Sequence, residues 1–367
     1  MPEATRSVSP GLRIFLWSRL AVWFVAVMTV VFFSRAPDPG AEWDSSRLHE
    51  LGTVIDVWAR WDSDWFLRIA ADGYSWPSST PAFFPLYPLL VAVAGWMLLG
   101  HPLLAGVVIS LVAGSAAFVL VYRLALVKLG ADAARRTVLF LALAPTSLFF
   151  GAVYSESLFL LLAVAAFLAA ERGRFWQVGA LAGLALLTRS SGVALAPALM
   201  LFAWRSPDRR RALAGLALAP ALFALYPLLL AVWIGRPLAF IDAQKVVWER
   251  HLSPLGPLGG ILAAVQHRAF LDLGIVIGVV ILGAVAWRRI GAPYGLYVVA
   301  SVALPLTFYS DKAPLLSIER LVVVAFPAFM ALATLARNRR ETLVVAVCLG
   351  AALALFVIRW ALWYWVA

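Results

Sequence analysis

Long unbroken apolar runs constrain this chain more than any other feature. After a first run near Leu12 to Phe33, apolar segments recur near 83–100, 103–127, 137–152, 156–170, 175–204, 212–234, 270–287, 292–309, 317–336 and 342–366. They are rich in Leu, Ala and Val and do not alternate, which is a helical pattern and not that of barrel strands. With 63% hydrophobic and 13% charged residues over 367 positions, and a mean hydropathy of +0.90, a water-soluble fold would leave apolar surface uncovered. Lipid is therefore the solvent for most of the chain, and each segment must pair its own backbone polar groups. The expectation is an all-α polytopic membrane protein of about 10–12 transmembrane or re-entrant helices, folded as a single domain over 1–367.

The net charge of +11 is read as topology and not as a nucleic-acid patch. Basic residues fall in short clusters between apolar runs: Arg205 with Arg209 to Arg211, then Arg288 and Arg289, then Arg337 with Arg339 and Arg340. Arg6, Arg13 and Arg19 place the N-terminal end in the cytoplasm of a cell-membrane protein. The first apolar run lacks a small-residue cleavage site and reads as a retained helix. The single Cys348 lies in an apolar run, so there is no disulfide framework. Counting every later run as a full span puts Lys128, Arg135 and Arg136 outside, against the positive-inside rule. Splitting 175–204 at its polar Thr188-Arg189-Ser190-Ser191-Gly192, and making 83–100 re-entrant, repairs that bias. Both arrangements stay open.

The first external loop, 34–82, is long and acidic, with Asp38, Glu42, Asp44, Glu50, Asp56, Asp62, Asp64 and Asp72. Long ordered loops in compact domains are commonly functional. Further external loops are expected at 235–269 and 310–317. Val54 to Ala71 reads as one amphipathic helix on the bilayer surface, its apolar stripe made of Val54, Val57, Trp58, Trp61, Trp65 and Ile69. On an intact helix Asp62 and Asp64 flank that stripe and diverge; in an extended segment they share a face. Gly73 ends the helix, and Pro77 and Pro81 keep the following loop open.

Asp62 is the leading candidate for chemistry. Flanked by Trp58, Trp61, Trp65 and Phe66, its carboxylate is partly desolvated and more basic, as a general base for an acceptor hydroxyl requires. The plainer alternative is a loop aspartate paired with Arg60 or Arg68. Glu156, in Tyr154-Ser155-Glu156-Ser157, and Arg189 interrupt apolar runs and must face a cavity or each other. Arg189 suits a bidentate phosphate contact, and Glu156 a sugar hydroxyl. Lys245, Arg250 and Arg320 are candidates to neutralise a phosphate leaving group. His251 has no metal partner at ligand spacing and reads as structural. There is no Gly-rich phosphate loop followed by Lys-Ser/Thr, no HExxH and no paired CxxC, so cytoplasmic ATP is not the expected energy source.

At these residues the chain resembles the PIG-V-type mannosyltransferases, a GT-C glycosyltransferase family that includes GPI mannosyltransferase II and bacterial relatives. The resemblance is carried by Arg60-Trp61-Asp62 with Phe66, Ile69-Ala70 and Gly73-Tyr74, then by Phe83-Phe84-Pro85-Leu86-Tyr87-Pro88. It continues through Ala144-Pro145-Thr146-Ser147, Tyr154-Ser155-Glu156-Ser157-Leu158-Phe159 and Thr188-Arg189-Ser190 with Gly192, with weaker echoes at Gln244, Trp248 and Glu319-Arg320. Ser191 departs from the Asn that stands there in many eukaryotic members, and Ala/Leu/Arg-rich usage hints at a bacterial one.

The resemblance implies transfer of mannose or another hexose from a polyprenyl-phosphate sugar to a lipid-linked or glycan acceptor, on the extracytoplasmic face. Asp62 would be the family's first-loop aspartate. The expected substrate-contacting set is Arg60, Trp61, Asp64, Tyr87, Tyr154, Glu156, Arg189, Gln244, Lys245, Trp248, His251, Glu319 and Arg320. No cofactor is expected, although Asp62-Ser63-Asp64 resembles a DxD pattern able to hold Mn²⁺ or Mg²⁺. The competing reading is a transporter or flippase for a lipid-linked substrate, with Glu156 and Arg189 on its pathway. The lack of repeat symmetry between the halves speaks against it.

Overall fold

The computed structural model describes residues 8–35, 43–246 and 248–366; Asp38 and Glu42 of the acidic loop lie outside them. The described chain is helical apart from one two-stranded antiparallel ribbon, Arg250–Leu252 with Phe308–Ser310, in which Arg250 faces Ser310. Five helices are long and apolar enough to cross a membrane: Pro10–Phe32, Pro102–Leu129, Arg209–Ile234, Phe270–Arg289 and Arg339–Ala361. Shorter apolar helices fill the space between them, so the protein is an integral membrane protein of the all-α kind.

Local chemistry sets the breaks. Pro occupies the first turn of the helices starting at Pro10, Pro102, Ala292 and Phe326, where its missing N–H costs nothing. The run 317–336 is not one helix. It divides into Ile318–Val322 and Phe326–Leu335, because Pro327 has no N–H to offer the Val323 carbonyl and its ring crowds that carbonyl. That division leaves Arg320 on a short separate turn. Helix Arg339–Ala361 starts with a capping box, in which Asn338 accepts from the Glu341 N–H and Glu341 accepts from the Asn338 N–H.

The run 175–204 is divided as well, into Phe175–Leu186 and Ala196–Trp204 with a tight turn over Ser190–Leu195. Its two ends meet again, since Gly173 to Gln177 and Ser206 to Ala212 line one cavity. The segment thus enters and leaves by the same end. At Gly179 a side chain would meet the Gly215 carbonyl at 2.0 Å, so glycine permits the neighbouring span to lie flush against it. Helix Leu86–Met97 is also short, and its first N–H bonds the Leu187 carbonyl deep beside that hairpin.

These two short segments bring the basic loops to one end. Lys128 pairs with Glu171 at 2.6 Å, Arg136 donates to the Ala333 carbonyl at 3.1 Å, and Arg289 donates to the Thr334 carbonyl at 2.8 Å. Lys128, Arg136, Arg172, Arg174, Arg209 to Arg211 and Arg289 therefore share the end opposite Asp62. Arg19 is no loop charge, however. It is buried, and its guanidinium donates to the carbonyls of Ala142 and Ser147, where helix Ala131–Leu143 breaks before Pro145. The Ala142 carbonyl, at the helix end, also accepts from Ser147 Oγ at 2.7 Å, so Arg19 and Ser147 together hold the break.

The acidic loop also departs from expectation. Val54 to Ala71 is not one interfacial helix but two, Thr53–Asp56 and Ser63–Asp72, joined by a turn. Trp61 in that turn has φ of +51°, a left-handed backbone uncommon for a large side chain. Most of the apolar stripe is turned inward: Val57, Trp58 and Ile69 are buried in the protein core, Trp61 and Trp65 pack half-buried against it, and Val54 is exposed. Gly73 does end the second helix, at φ +76°.

Candidate active site

The turn at Val57–Asp62 is pinned from three sides. Trp360 Nε1 donates to the Val57 carbonyl at 2.7 Å, and the Val153 N–H donates to the Trp58 carbonyl at 3.0 Å. The Tyr154 hydroxyl accepts from the Asp62 N–H and donates to the Arg60 carbonyl, both at 3.2 Å. Asp62 therefore stands at a fixed place at the head of helix Ser63–Asp72, with its side chain pointed away from it.

Its partner is Arg320, 258 residues later, whose Nη1 donates to Asp62 Oδ2 at 2.5 Å. Arg320 Nε donates to Glu156 Oε1, also at 2.5 Å, and Arg189 Nη1 lies 2.7 Å from that same oxygen. The Arg189 approach is an ion-pair contact by distance but lacks hydrogen-bond geometry. The Arg320 guanidinium also lies 4.7 Å from the centre of the Tyr154 ring. Burial opposes the charge on Arg320, and Glu156 and Asp62 overcome it and raise its proton affinity above the usual arginine value. Asp62 Oδ1 and Glu156 Oε2 are buried and have no hydrogen-bond partner among the described residues.

These groups border a cavity of about 100 Å³ whose wall includes Asp62, Arg189, Gln244, Trp248, Arg250 and Arg320, with Phe84, Thr188, Ser190 and Trp365. A second, mostly apolar cavity of about 220 Å³ adjoins it, lined by Leu186, Val193, Phe223, Phe240, Ile241 and Leu304. Phe84, Ser190, Gln244, Arg250 and Leu321 line both. A charged chamber thus opens along an apolar groove.

The expected residues divide into those the fold gathers here and those it does not. Asp62, Tyr154, Glu156, Arg189, Gln244, Trp248 and Arg320 meet at or beside the chamber. Arg60 turns the other way. Burial pushes its guanidinium down to about 10; it donates to the Asp56 and Ala59 carbonyls and lies 4.4 Å from the Trp363 ring centre. It borders a separate cavity of about 470 Å³ with Arg35, His49, Glu50 and Asp56. Trp61 sits between the two cavities in a cluster with Trp43, Trp363 and Trp365.

Asp64 is held by Ser45 and, at 2.8 Å, by Arg68. The carboxylates of Asp62 and Asp64 serve different partners, as the divergent reading of that pair expects. Tyr87 donates to the Gly106 carbonyl at 3.0 Å within the helix packing. Lys245 is exposed, and His251 packs against Tyr309 on the ribbon with the two rings tilted by 57°. Glu319 lends its carbonyl to Thr146 at 2.8 Å.

Sequence reasoning missed Trp363 and Trp365. They follow the last apolar run in Trp360-Ala361-Leu362-Trp363-Tyr364-Trp365, which reads as an ordinary aromatic belt at a helix end.

Residues 48–207 match the family model for Mannosyltransferase (PIG-V). The GPI alpha-1,6-mannosyltransferase 2 of Rattus norvegicus is 33% identical over 187 residues, covering 46% of this chain and 37% of the relative. That of Mus musculus is 33% identical over 147 residues, covering 37% and 29%. The chain thus spans well under half the length of the curated relatives it matches. Among solved structures, ArnT from Cupriavidus metallidurans bound to undecaprenyl phosphate superposes with a TM-score of 0.54 at 18% identity, covering 90% of this chain and 61% of that one. The resemblance to the PIG-V-type mannosyltransferases is borne out over residues 48–207, and the fold is similar to that of ArnT. The matched window contains Asp62, Glu156 and Arg189; Arg250 and Arg320 lie beyond it.

Proposed function

We propose that this protein is an integral membrane glycosyltransferase that moves mannose, or a related hexose, from a polyprenyl-phosphate sugar to a lipid-linked or cell-envelope acceptor. One observation carries the reading: a carboxylate and three arginines border one small chamber that opens along an apolar groove. The groove suits a polyprenyl chain and the chamber suits its phosphate and sugar. ArnT, which shares the fold, was crystallised with undecaprenyl phosphate.

Asp62 takes the proton of the acceptor hydroxyl as that oxygen bonds to the anomeric carbon from the side opposite the phosphate. The bond from the anomeric carbon to the phosphate oxygen breaks, its electron pair stays on the phosphate, and the configuration inverts. Arg189, Arg250 and Arg320 meet the charge that develops there. The gathering of the basic loops at the opposite end supports a chamber on the extracytoplasmic face, by the positive-inside rule. No resident metal enters this reading, since Asp62 and Asp64 face different partners.

The test uses purified protein, radiolabelled polyprenyl-phosphate mannose and a membrane lipid extract as acceptor. Transfer by wild type and its loss in Asp62→Ala, with folding intact, is the expected result. A folded wild type that does not bind the donor would move the reading to the transporter.

A further inference from the structure

We propose that Asp62 and the donor phosphate compete for Arg320, so that donor binding frees the Asp62 carboxylate. This inference rests on the reading of Asp62 and the phosphate site given above, and it concerns how that site is switched on.

Arg320 Nη1 donates to Asp62 Oδ2 at 2.5 Å and so occupies one of the two carboxylate oxygens. Giving up that contact frees the whole carboxylate to meet a hydroxyl, and the geometry allows it. Arg320 is fastened separately through Nε to Glu156, so Nη1 can leave Asp62 without the side chain losing its anchor. Its backbone belongs to the short turn Ile318–Val322 and not to a long packed helix. A phosphate in the chamber would lie between Arg189, Arg250 and Arg320, all of which line it.

Charge balance points the same way. The ionisable groups facing Asp62 and Arg320 are Glu156, Arg189, Arg250 and Tyr154, of which the hydroxyl of Tyr154 is neutral. Three arginines against two carboxylates leave one surplus positive charge. A polyprenyl-phosphate sugar is a phosphodiester and carries one negative charge, which this surplus neutralises. After transfer the phosphate is a monoester approaching two negative charges. By then Asp62 has taken the acceptor proton, and the surplus has risen to two. The site stays close to neutral throughout, so Arg320 can pass from carboxylate to phosphate without leaving a charge uncompensated. Donor binding then releases the carboxylate that the acceptor meets, which favours donor binding ahead of the acceptor.

The experiment measures binding of undecaprenyl phosphate to the full-length purified protein in nanodiscs. Wild type, Asp62→Asn, Arg320→Gln and the double variant are compared, with Asp62→Ala as a second neutral variant and thermal melts to establish folding. Competition predicts that Asp62→Asn binds about five- to tenfold tighter than wild type and that Arg320→Gln binds more weakly. In the Arg320→Gln background the gain from Asp62→Asn disappears, because there is no shared guanidinium left to release. A gain of equal size in both backgrounds would mean simple charge repulsion and would overturn the exchange. So would Asp62→Asn and Asp62→Ala binding no tighter than wild type, which leaves the donor reading intact. A folded wild type that binds no undecaprenyl phosphate would remove the donor reading and the exchange together.

Discussion

Arg189 and Arg320 converge on a single oxygen, Oε1 of Glu156, from positions far apart in the chain. Glu156 is completely buried, so it is the counter-charge that lets two guanidinium groups stand together inside the protein. Removing one partner of a buried ion pair costs about 3–5 kcal/mol, because the remaining charge is left uncompensated. Glu156→Gln is expected to lower the thermal midpoint in detergent strongly and to abolish transfer. Glu156→Gln melting at the wild-type temperature would contradict this.

Asp62 makes a different prediction. Arg320 keeps Glu156 when Asp62 is neutralised, so Asp62→Asn is expected to melt closer to wild type than Glu156→Gln does. Loss of a general base lowers turnover by about 10²- to 10⁴-fold. Single-turnover transfer rates with bound donor would measure it directly, and a rate within threefold of wild type would take Asp62 out of the proton transfer.

The apolar groove should read chain length. Val193 lines it and is half exposed, so Val193→Trp fills the groove with little cost to folding. The KM for a long polyprenyl donor should rise about tenfold or more, while that for a short-chain analogue changes little. Equal effects on both donors would place the chain elsewhere.

Transfer should proceed in the presence of a chelator, since Asp62 and Asp64 hold separate cations and do not form one ligand pair. Activity lost to EDTA and restored by Mn²⁺ or Mg²⁺ would reverse this.

Gly73 offers a test of the loop's architecture. Its φ of +76° disfavours any side chain, and a Cβ there would meet the Trp233 ring at 2.2 Å. Gly73→Ala is expected to cost about 1–3 kcal/mol from strain and overpacking together. Gly100→Ala has a similar φ of +89° but open space around it, and should cost less. Thermal melts of the two variants measured side by side compare the costs.

The sequence by itself determined the class of fold. Continuous apolar runs admit helices in lipid, and the polar break at Thr188 to Gly192 left open whether 175–204 crosses as one helix; the structure divides it. Charge bias likewise left two arrangements open, and the clustering of Lys128 and Arg136 with the other basic loops agrees with the re-entrant one. Asp62, Glu156, Arg189 and Arg320 stood out because an ionisable residue near lipid needs a reason. Tertiary structure alone decided who pairs with whom. Local spacing suggested Arg60 or Arg68 for Asp62, yet Arg320 holds it, because packing brings a late turn over the first loop. Helical periodicity likewise made 54–71 one helix, while the bonds from Trp360, Val153 and Tyr154 hold its middle as a turn. Those bonds connect residues far apart in the chain, and no local pattern encodes them.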